Sequence, residues 1–343
     1  MARHRFLLAT LVAAMLFPAP PTVAADDERP FMRGMVVSCP RAGQIWGTPE
    51  MAESLDQLDS LGVQWVAVHP YAWVKEDGSV RFEPAATLPF LGKSVDLAER
   101  AGIRMFWKPH LGYWGSFPYR GAIDFGESPT HWARFFREYE DFIVDQAKFA
   151  EAASVDLFAV GVELEGTAHY EDLWRRIIAR VRDVYSGRIV YAANWDRLDD
   201  VPFWDAVDLL GVHAYFPLSQ TDDPDRNSLY RGWDGPLAEL EHLSRSIGKP
   251  VLVAEIGYNT STDAARTPWA YESVHSEAAR SLRGRLIDVA IERLEDTDFI
   301  TGMFWWKWMP GNGRRRNFSM RDAEARVVLR RHWAPLPQRT TAR

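Results

Sequence analysis

Cysteine is nearly absent from this 343-residue chain: Cys39 is the only one, so no internal disulfide can form. Nothing in the neighbouring sequence marks Cys39 as an activated thiol. It also lies too far beyond the apolar N-terminal stretch to be the lipid-attachment cysteine of a lipoprotein. We interpret it as a small buried residue and exclude it as a nucleophile.

Long apolar runs are also scarce, and the one candidate lies in the first 25 residues. Two arginines precede an apolar stretch over residues 6–17, and small residues end it at Val23-Ala24-Ala25. This pattern is typical of a secretory signal peptide, so we expect cleavage before Asp26 and no membrane insertion afterwards. An uncleaved N-terminal anchor is the alternative. Export without a disulfide suits a bacterium, so the expected location is secreted or periplasmic.

Basic runs and low-complexity linkers are missing as well. The formal net charge is −7, from 40 basic and 47 acidic residues. A negative chain without basic clusters is a poor partner for nucleic acid or for an anionic membrane. Nearly half of the residues are hydrophobic, which is enough for a sizeable core in one large domain.

What the chain does contain is a regular alternation of short apolar runs and amphipathic segments. The runs are rich in β-branched and aromatic residues, which favours strands. We predict eight strands, one in each of these runs: Phe31–Ser38, Val63–Tyr71, Ile103–His110, Leu157–Glu163, Ile189–Trp195, Leu209–Phe216, Val251–Tyr258 and Ile300–Trp308.

The segments between the runs have the periodicity and the start signals of helices. Thr48 and Ser128 each precede a proline, as N-cap residues do. Predicted helices run from Thr48 to Gly62, from Ser128 to Ala152, and over Leu88–Ala101, Glu171–Tyr185, Pro236–Ile247 and Glu277–Leu294, with only a short segment at Asp199–Val207. Eight β/α units in about 310 residues predict an α/β fold, a single (β/α)₈ TIM barrel. An open doubly wound sheet is disfavoured, because no glycine-rich phosphate loop follows the first run.

In such a barrel the active site lies at the C-terminal ends of the strands. Seven of the eight runs end in polar or aromatic residues, namely His69 and Tyr71, Lys108 and His110, Glu163 and Glu165, Asn194 and Trp195, His213 and Tyr215, Glu255 and Tyr258, and Trp306 and Trp308. An unpaired buried carboxylate costs several kcal/mol, so glutamates at the ends of apolar strands indicate function.

Period-two alternation predicts where the two strand-end glutamates point. It places Glu163 on the face of Ala159 and Gly161, and Glu255 on the face of Val253. Both carboxylates are then expected in one cavity. Two carboxylates about 5–5.5 Å apart suit double-displacement cleavage of a glycosidic bond, in which one attacks the anomeric carbon and the other acts as acid and then as base.

Five segments at consecutive strand ends carry a resemblance to a known family. They are Lys108-Pro109-His110, Val160-Gly161-Val162-Glu163, Tyr191-Ala192-Ala193-Asn194-Trp195, His213-Ala214-Tyr215-Phe216-Pro217-Leu218 and Ala254-Glu255-Ile256-Gly257-Tyr258, and Phe304-Trp305-Trp306-Lys307-Trp308 extends the match to the eighth strand. The chain resembles a clan A glycoside hydrolase and, within that clan, glycoside hydrolase family 113, the barrel β-mannanases. One departure is Val162, which stands where many clan A enzymes have asparagine directly before the acid/base.

The resemblance implies a role for each strand-end residue. Glu163 would be the acid/base and Glu255 the nucleophile of a retaining enzyme, without a metal or other cofactor, that acts on β-1,4-mannan or manno-oligosaccharides. The implied substrate-binding residues are Tyr215, which would orient Glu255, Trp306, which would stack beneath the sugar, and Asn194, Lys108, His110, His69 and His213. We expect a monomer with a signal peptide at 1–25, a catalytic domain at 26–336 and a flexible tail at 337–343.

Several alternatives stay open at this point. Glu165 competes with Glu163 for the acid role, Trp305 and Trp308 compete with Trp306, and Lys108 could pair with a structural acid. The histidines suggest a metal hydrolase, but no His-x-His ends the first strand. Other readings are the same mechanism on another β-glycan or oligosaccharide, and a carbohydrate-binding barrel without activity.

The strand-end residues do not identify the sugar. Its identity depends on the long loops at Gly112–Pro129, Leu218–Asp234 and Thr260–His275. Two triplets, which begin at Asn259 and Asn317, match the acceptor pattern for N-glycosylation. Such triplets are common by chance.

Overall fold

The fold is described by a computed structural model, which covers residues 30–39, 41–274, 276–311 and 317–334. Eight parallel strands lie in or within one residue of the predicted runs: β1 (Met32–Val37), β2 (Trp65–Val68), β3 (Arg104–Trp107), β4 (Leu157–Val162), β5 (Arg188–Asn194), β6 (Leu209–His213), β7 (Val251–Ile256) and β8 (Ile300–Trp308). Each strand pairs with its neighbours in sequence, and β8 returns to pair with β1. The sheet is a closed barrel, which confirms the predicted (β/α)₈ fold.

Helices surround the barrel and follow the predicted segments closely. The described helices are α1 (Pro49–Asp59), α2 (Pro89–Arg100), α3 (Pro129–Ala152), α4 (Glu165–Ala168), α5 (Glu171–Arg182), α6 (Arg226–Gly232), α7 (Asp234–Ile247), α8 (Glu277–Glu295) and α9 (Ala323–Trp333). The short segment after β5 forms two 3₁₀ turns, Leu198–Asp200 and Trp204–Ala206. The sequence analysis did not predict α4, α6 or α9.

The two predicted N-caps behave differently. The Ser128 hydroxyl accepts a hydrogen bond from the backbone N–H of His131 at the start of α3, as a cap does. Thr48 occupies the N-cap position of α1, but its hydroxyl instead donates to the carbonyl oxygen of Ile45 at 2.8 Å. The predicted N-cap position of Thr48 is therefore confirmed, although its hydroxyl bonds to the preceding turn and not to the first turn of the helix.

Two apolar layers hold the barrel together. The inner layer fills the barrel itself and includes Val36, Phe106 and Phe304. Space there is tight enough that a Cβ on Gly34 would lie 2.4 Å from the Phe304 ring. The outer layer joins the outward faces of the strands to the helices. Together the layers fix the strand ends that carry the polar groups.

A small second sheet lies beyond the ends of β2 and β3. Its strands are Tyr71–Val74, Val80–Arg81 and His110–Gly112, and the first pairs with the other two. The pairing of Tyr71 with His110 extends one side of the barrel mouth. Two of these strands begin at the last residue of a predicted run, Tyr71 and His110, and the strand Val80–Arg81 was not predicted.

Three predictions concern regions that bear little on the barrel. Cys39 is half-buried against the core, and burial raises the pKa of its thiol to about 12. The predicted signal peptide at 1–25 and the tail at 337–343 lie outside the described residues, so they stay predictions. In the part of the chain that the structure covers, every helix is too short or too polar to cross a membrane.

Candidate active site

A cavity of about 530 Å³ opens at the C-terminal ends of the barrel strands. It is lined by His110, Tyr113, Tyr119, Arg120, Glu163, Asn194, Trp195, Asp196, Arg197, Tyr215, Glu255, Trp269, Tyr271, Trp306 and Phe318. Both strand-end glutamates therefore face the same space. Its wall combines polar groups with flat aromatic rings. The polar groups match the hydroxyls of a sugar, and the rings match the apolar faces of a sugar ring.

Glu255 is held by two donors at the end of β7. The Nζ of Lys108 lies 2.8 Å from Oε2, and the hydroxyl of Tyr215 donates to Oε1 at 2.8 Å. Burial raises the pKa of Glu255, but Lys108 and His213 together outweigh burial and hold the pKa below its usual value. A carboxylate fixed through both oxygens and kept ionised is oriented to attack an electrophile.

Glu163 lies at the end of β4 between an arginine and a histidine. The guanidinium of Arg120 donates to Oε2 at 3.0 Å, and the Nδ1 of His213 lies 2.7 Å from Oε1. Burial raises the pKa of Glu163, but His213 and Arg120 together outweigh burial and bring the pKa to about 2. In the open cavity this group is therefore a carboxylate.

The backbone brings both glutamates to the cavity by a route that alternation did not predict. In β7 the inner layer contains Leu252 and Ala254, and Val253 packs outward, so the predicted shared face of Val253 and Glu255 is wrong. A register shift after Val253 turns Glu255 inward.

The same correction holds in β4. A register shift there places Gly161 outward, where a Cβ would lie 2.7 Å from the ring of Tyr191. Glu163 then has φ +51°, a left-handed conformation that is uncommon for a residue with a side chain. The predicted shared face of Gly161 and Glu163 is therefore wrong, although the expected meeting of both carboxylates in one cavity is present.

His213 connects the two carboxylates. Its Nδ1 contacts Glu163, and its Nε2 lies 3.9 Å from Oε2 of Glu255. One imidazole ring thus lies within reach of both groups. The side chain is almost completely buried, so it acts on the glutamates and not on the open cavity.

The other predicted binding residues fall into two groups. Asn194, His110, Tyr215 and Trp306 line the cavity, as expected of groups that contact a substrate. Lys108, His69 and His213 lie behind the wall, fully or almost fully buried. For these three the structure favours a positioning role over direct contact with sugar hydroxyls.

Two of the histidines form a stacked pair beneath the cavity. The rings of His69 and His110 lie 4.9 Å apart at an angle of 19°. Burial and the charge of Lys108 lower the pKa of His69 to about 3, and burial lowers the pKa of His110 as well. Both are therefore neutral imidazoles near neutral pH. In the described ranges no cluster of His, Cys, Asp and Glu is placed to hold a metal ion.

Among the three tryptophans of β8, only one reaches the cavity. Trp305 and Trp308 are fully buried, whereas Trp306 is partly exposed and lines the wall. The peptide bond that follows Trp306 is cis. Trp306 therefore occupies the position that the sequence analysis expected of it.

Glu165 follows two residues after Glu163 but lies in a different environment. Its Oε1 accepts a hydrogen bond at 2.8 Å from the amide of Asn194, and it begins α4. Its Oε2 is buried, and no hydrogen bond to it occurs in the described part of the chain. Burial, followed by the charge of Glu163, raises the pKa of Glu165 to about 7. Glu165 does not line the cavity.

Sequence reasoning missed most of the loop residues on the wall. Those not singled out are Tyr113, Tyr119, Arg120, Asp196, Arg197, Trp269, Tyr271 and Phe318. They lie in loops, where no periodicity marks an inward face. Arg120 is the most consequential, because it is nearly buried and contacts Glu163. The sequence signal that could have identified Arg120 is its position as a lone arginine in an aromatic-rich loop.

Opposed carboxylates at the C-terminal mouth of a (β/α)₈ barrel are the groups with which glycoside hydrolases cleave sugars, and this chain is an enzyme of that class. The model of Glycoside Hydrolase Family 113 matches residues 38–323, and the chain therefore belongs to this family.

Solved structures of the same family are similar over nearly the whole chain. The GH113 β-mannanase AaManA from Alicyclobacillus acidocaldarius, in complex with ManMIm, is 25% identical, with 89% of this chain and 98% of that chain covered and a TM-score of 0.76. A GH113 β-1,4-mannanase is 21% identical, with 89% and 99% covered and a TM-score of 0.77. A family 5 mannosidase from Rhizomucor miehei, 12% identical with 91% and 96% covered and a TM-score of 0.60, shares the fold. No curated protein matches the sequence.

Proposed function

We propose that this chain is a retaining hydrolase of β-linked mannan, most simply β-1,4-mannan or its oligosaccharides, with Glu255 as nucleophile and Glu163 as acid/base. Two relatives in the family are β-mannanases by their descriptions. The observation that carries the assignment is the pair of hydrogen bonds that hold Glu255 from Lys108 and Tyr215. A nucleophilic carboxylate needs this combination of charge and orientation.

In the first step Glu255 attacks the anomeric carbon, and the bond from that carbon to the leaving oxygen breaks. Glu163 gives its proton to this oxygen, so that the leaving sugar departs as a neutral alcohol. A covalent glycosyl-enzyme remains on Glu255. The donors on Glu255 keep the free carboxylate ionised before the attack.

The proton for this step has to reach a group whose pKa is about 2 in the open cavity, because His213 and Arg120 outweigh the effect of burial. A bound sugar covers the 21% of the Glu163 side chain that is exposed, and this desolvation raises its pKa.

In the second step Glu163 removes a proton from water, the water attacks the anomeric carbon from the side that the leaving sugar vacated, and the bond from that carbon to Glu255 breaks, which frees Glu255 as a carboxylate. Two inversions give net retention. Inverting enzymes separate their carboxylates by about 6.5–9.5 Å to admit a water between carboxylate and sugar. The two contacts of His213, 2.7 Å to Glu163 and 3.9 Å to Glu255, fit either spacing, so the retaining assignment rests on the donors that hold Glu255 as a nucleophile.

The remaining predicted residues support sugar binding. The ring nitrogens of His110 have no hydrogen-bond partner in the described part of the chain, and the side chain borders the cavity. Both nitrogens are buried, so His110 supports the wall of the cavity and does not contact sugar hydroxyls through its ring nitrogens. The exposed face of Trp306 gives the apolar side of the ring a flat surface. Asn194 is oriented by Glu165 and completes the set.

The test is hydrolysis of a polysaccharide panel, with proton NMR of the first products. We expect β-1,4-mannan to be cleaved faster than xylan or β-glucan, with the β-anomer appearing first, and Glu255→Gln to abolish turnover. Cleavage of none of these glycans would overturn the hydrolase assignment. Preference for another glycan would overturn the mannan assignment, and early appearance of the α-anomer would remove Glu255 as nucleophile.

Export stays part of the proposal. A substrate that is an extracellular polysaccharide fits an enzyme with a signal peptide at 1–25, and the monomeric state is likewise a prediction. N-terminal mass analysis of protein recovered outside the bacterial cytoplasm tests the first, with Asp26 expected as the first residue.

A further inference from the structure

Trp269 is an exposed aromatic residue at the edge of the cavity. Its side chain is 45% exposed, and it belongs to the cavity wall. Its ring stacks on Trp195, with centroids 5.8 Å apart and an angle of 30° between the planes. Trp195 in turn packs on Phe216 at 5.5 Å. The exposed indole is therefore backed by rings that reach into the core.

The backbone that carries Trp269 is fixed on both sides. The amide of Asn259 donates to the carbonyl oxygen of Thr267 at 2.8 Å, and the amide of Asn317 donates to that of Ala270 at 3.2 Å. Asn259 is completely buried. Two side chains thus anchor a surface segment whose middle residue is a partly exposed tryptophan.

These contacts also explain the two sequence triplets that match the glycosylation pattern. The amide nitrogens of Asn259 and Asn317, to which a glycan would be attached, donate hydrogen bonds within the protein. An attached glycan at buried Asn259 has no space. The two asparagines therefore serve to position the segment 267–270 and not to carry sugar.

The position of Trp269 relative to the reacting groups defines what it can bind. In the closed order of eight strands, β8 with Trp306 and β4 with Glu163 lie opposite each other. The acid must contact the leaving oxygen, so the leaving sugar lies toward Glu163, away from Trp306. Trp195 follows the end of β5, which neighbours β4. The Trp195–Trp269 pair is therefore on the leaving-sugar side.

We propose that Trp269, backed by Trp195, is a stacking platform for the first sugars of the leaving part of the glycan chain. The inference rests on the proposed function, because it uses Glu163 as the acid. Next to the platform, Asp196 and Arg197 are exposed on the same wall and offer polar partners for hydroxyls. When the glycan extends past the scissile bond, binding energy gained at this platform raises the rate of cleavage.

The experiment compares two substrates that share the attacked sugars and differ in the leaving group. Manno-hexaose leaves sugars on the platform, whereas a β-mannobiosyl fluoride leaves a single atom. For Trp269→Ala we expect kcat/KM on the hexaose to fall on the order of ten-fold, as removal of one aromatic contact does, with the fluoride little changed. Trp269→Phe keeps a flat ring and is expected to restore much of the loss.

Trp114→Ala is the matched control. Trp114 is 56% exposed and stacks on Tyr113 at 5.1 Å, but it does not line the cavity. Any effect of its removal is expected to fall equally on both substrates. Equal losses on both substrates for Trp269→Ala, or no loss on either, would overturn the platform while leaving the proposed function intact. A wild-type protein that cleaves neither substrate would overturn the proposed function and the platform with it.

Discussion

At the scale of single residues, two glutamates of β4 and its following turn illustrate how environment divides roles. Glu163 faces Arg120 and His213 at the cavity, and Glu165 lies behind it with a buried oxygen and one amide donor. The pKa is about 2 for the first and about 7 for the second. The pKa values alone would favour Glu165 as the proton donor. Location favours Glu163, because only this carboxylate borders the cavity that also contains Glu255.

A rescue experiment separates these glutamates. For Glu163→Ala we expect activity on mannan to fall about 10²–10⁴-fold, since nothing then protonates the departing oxygen. An aryl glycoside with a good leaving group still forms the glycosyl-enzyme, and azide then replaces the activated water to give a glycosyl azide of retained configuration.

Glu165→Ala is the comparison variant. It is expected to keep measurable activity on mannan and to show no azide product, because the acid is still present. Loss of orientation at Asn194 would appear as a higher KM. If azide rescued Glu165→Ala and not Glu163→Ala, the acid/base role would move to Glu165.

Glu165 also makes a prediction about stability and pH. Its pKa is about 7 in the folded state, first because of burial and then because of the charge of Glu163, against about 4.3 in an unfolded chain. Below about pH 4 both states hold the proton, and above about pH 7 both have lost it. Between these values only the folded state keeps the proton, so stability falls as pH rises.

Glu165→Gln removes this effect and keeps an oxygen that accepts from Asn194. We expect the free energy of unfolding of the variant to gain on the wild type from about pH 4 to pH 7 and then to level off, with about 1.4 kcal/mol for each unit of difference between the two pKa values. Urea unfolding at a series of pH values measures it. A difference that stays flat or shrinks across this window would contradict the assigned environment.

At the scale of elements, the eight barrel strands and most of the large helices were predictable, but the direction in which strand-end side chains point was not. Apolar runs and proline starts mark β4, β7 and α3 nearly to the residue, because burial imposes a periodicity on the sequence. Alternation failed near the ends of β4 and β7, where register shifts insert a residue. Neither shift has a sequence signal of its own. The site depends on both shifts, so the strand-end residues were predictable from the sequence, whereas the backbone path that turns them inward was not.

The shift in β4 has a specific support. Val160 has no partner in the pairing of β4 with β5, and the hydroxyl of Tyr139 on α3 donates to its carbonyl oxygen at 2.8 Å. A second buried tyrosine, Tyr185, makes an equal bond of 2.8 Å to the carbonyl oxygen of Val155 before β4 begins. The two hydrogen bonds have the same chemistry, but Val160 is close to Glu163 along the chain and Val155 is farther away.

This pair gives a matched test of the shift. Tyr139→Phe and Tyr185→Phe each leave a carbonyl oxygen without its donor, so each is expected to lower the free energy of unfolding by about 1–3 kcal/mol. Only Tyr139→Phe is expected to lower kcat as well, since the bulged segment sets the position of Glu163. Thermal melts and kinetics on mannan report the two effects. Equal kinetics in both variants would show that the bond supports the fold alone.

At the scale of the whole molecule, the two ends of the described chain meet. β1 pairs with β8, and the barrel closes through that contact. Outside the barrel, Glu295 at the end of α8 accepts from Arg33 of β1 at 2.9 Å and from the indole of Trp333 in α9 at 2.9 Å. One carboxylate thus ties the first strand and the last helix together. In the described part of the chain, β1 begins at Met32 and α9 ends at Trp333.

A chain reduced to residues 26–336 is therefore expected to keep the melting temperature and the turnover of the full chain, because every contact that closes the barrel is retained. Glu295→Ala is expected to lower the free energy of unfolding by about 1–2 kcal/mol in both the full and the shortened chain, since the indole of Trp333 and the guanidinium of Arg33 lose their shared acceptor in a partly exposed position. Calorimetry on the four proteins gives both comparisons. A melting temperature that drops on shortening alone would place part of the fold outside 26–336, and a Glu295→Ala chain as stable as its parent would mean that strand pairing closes the barrel without this link.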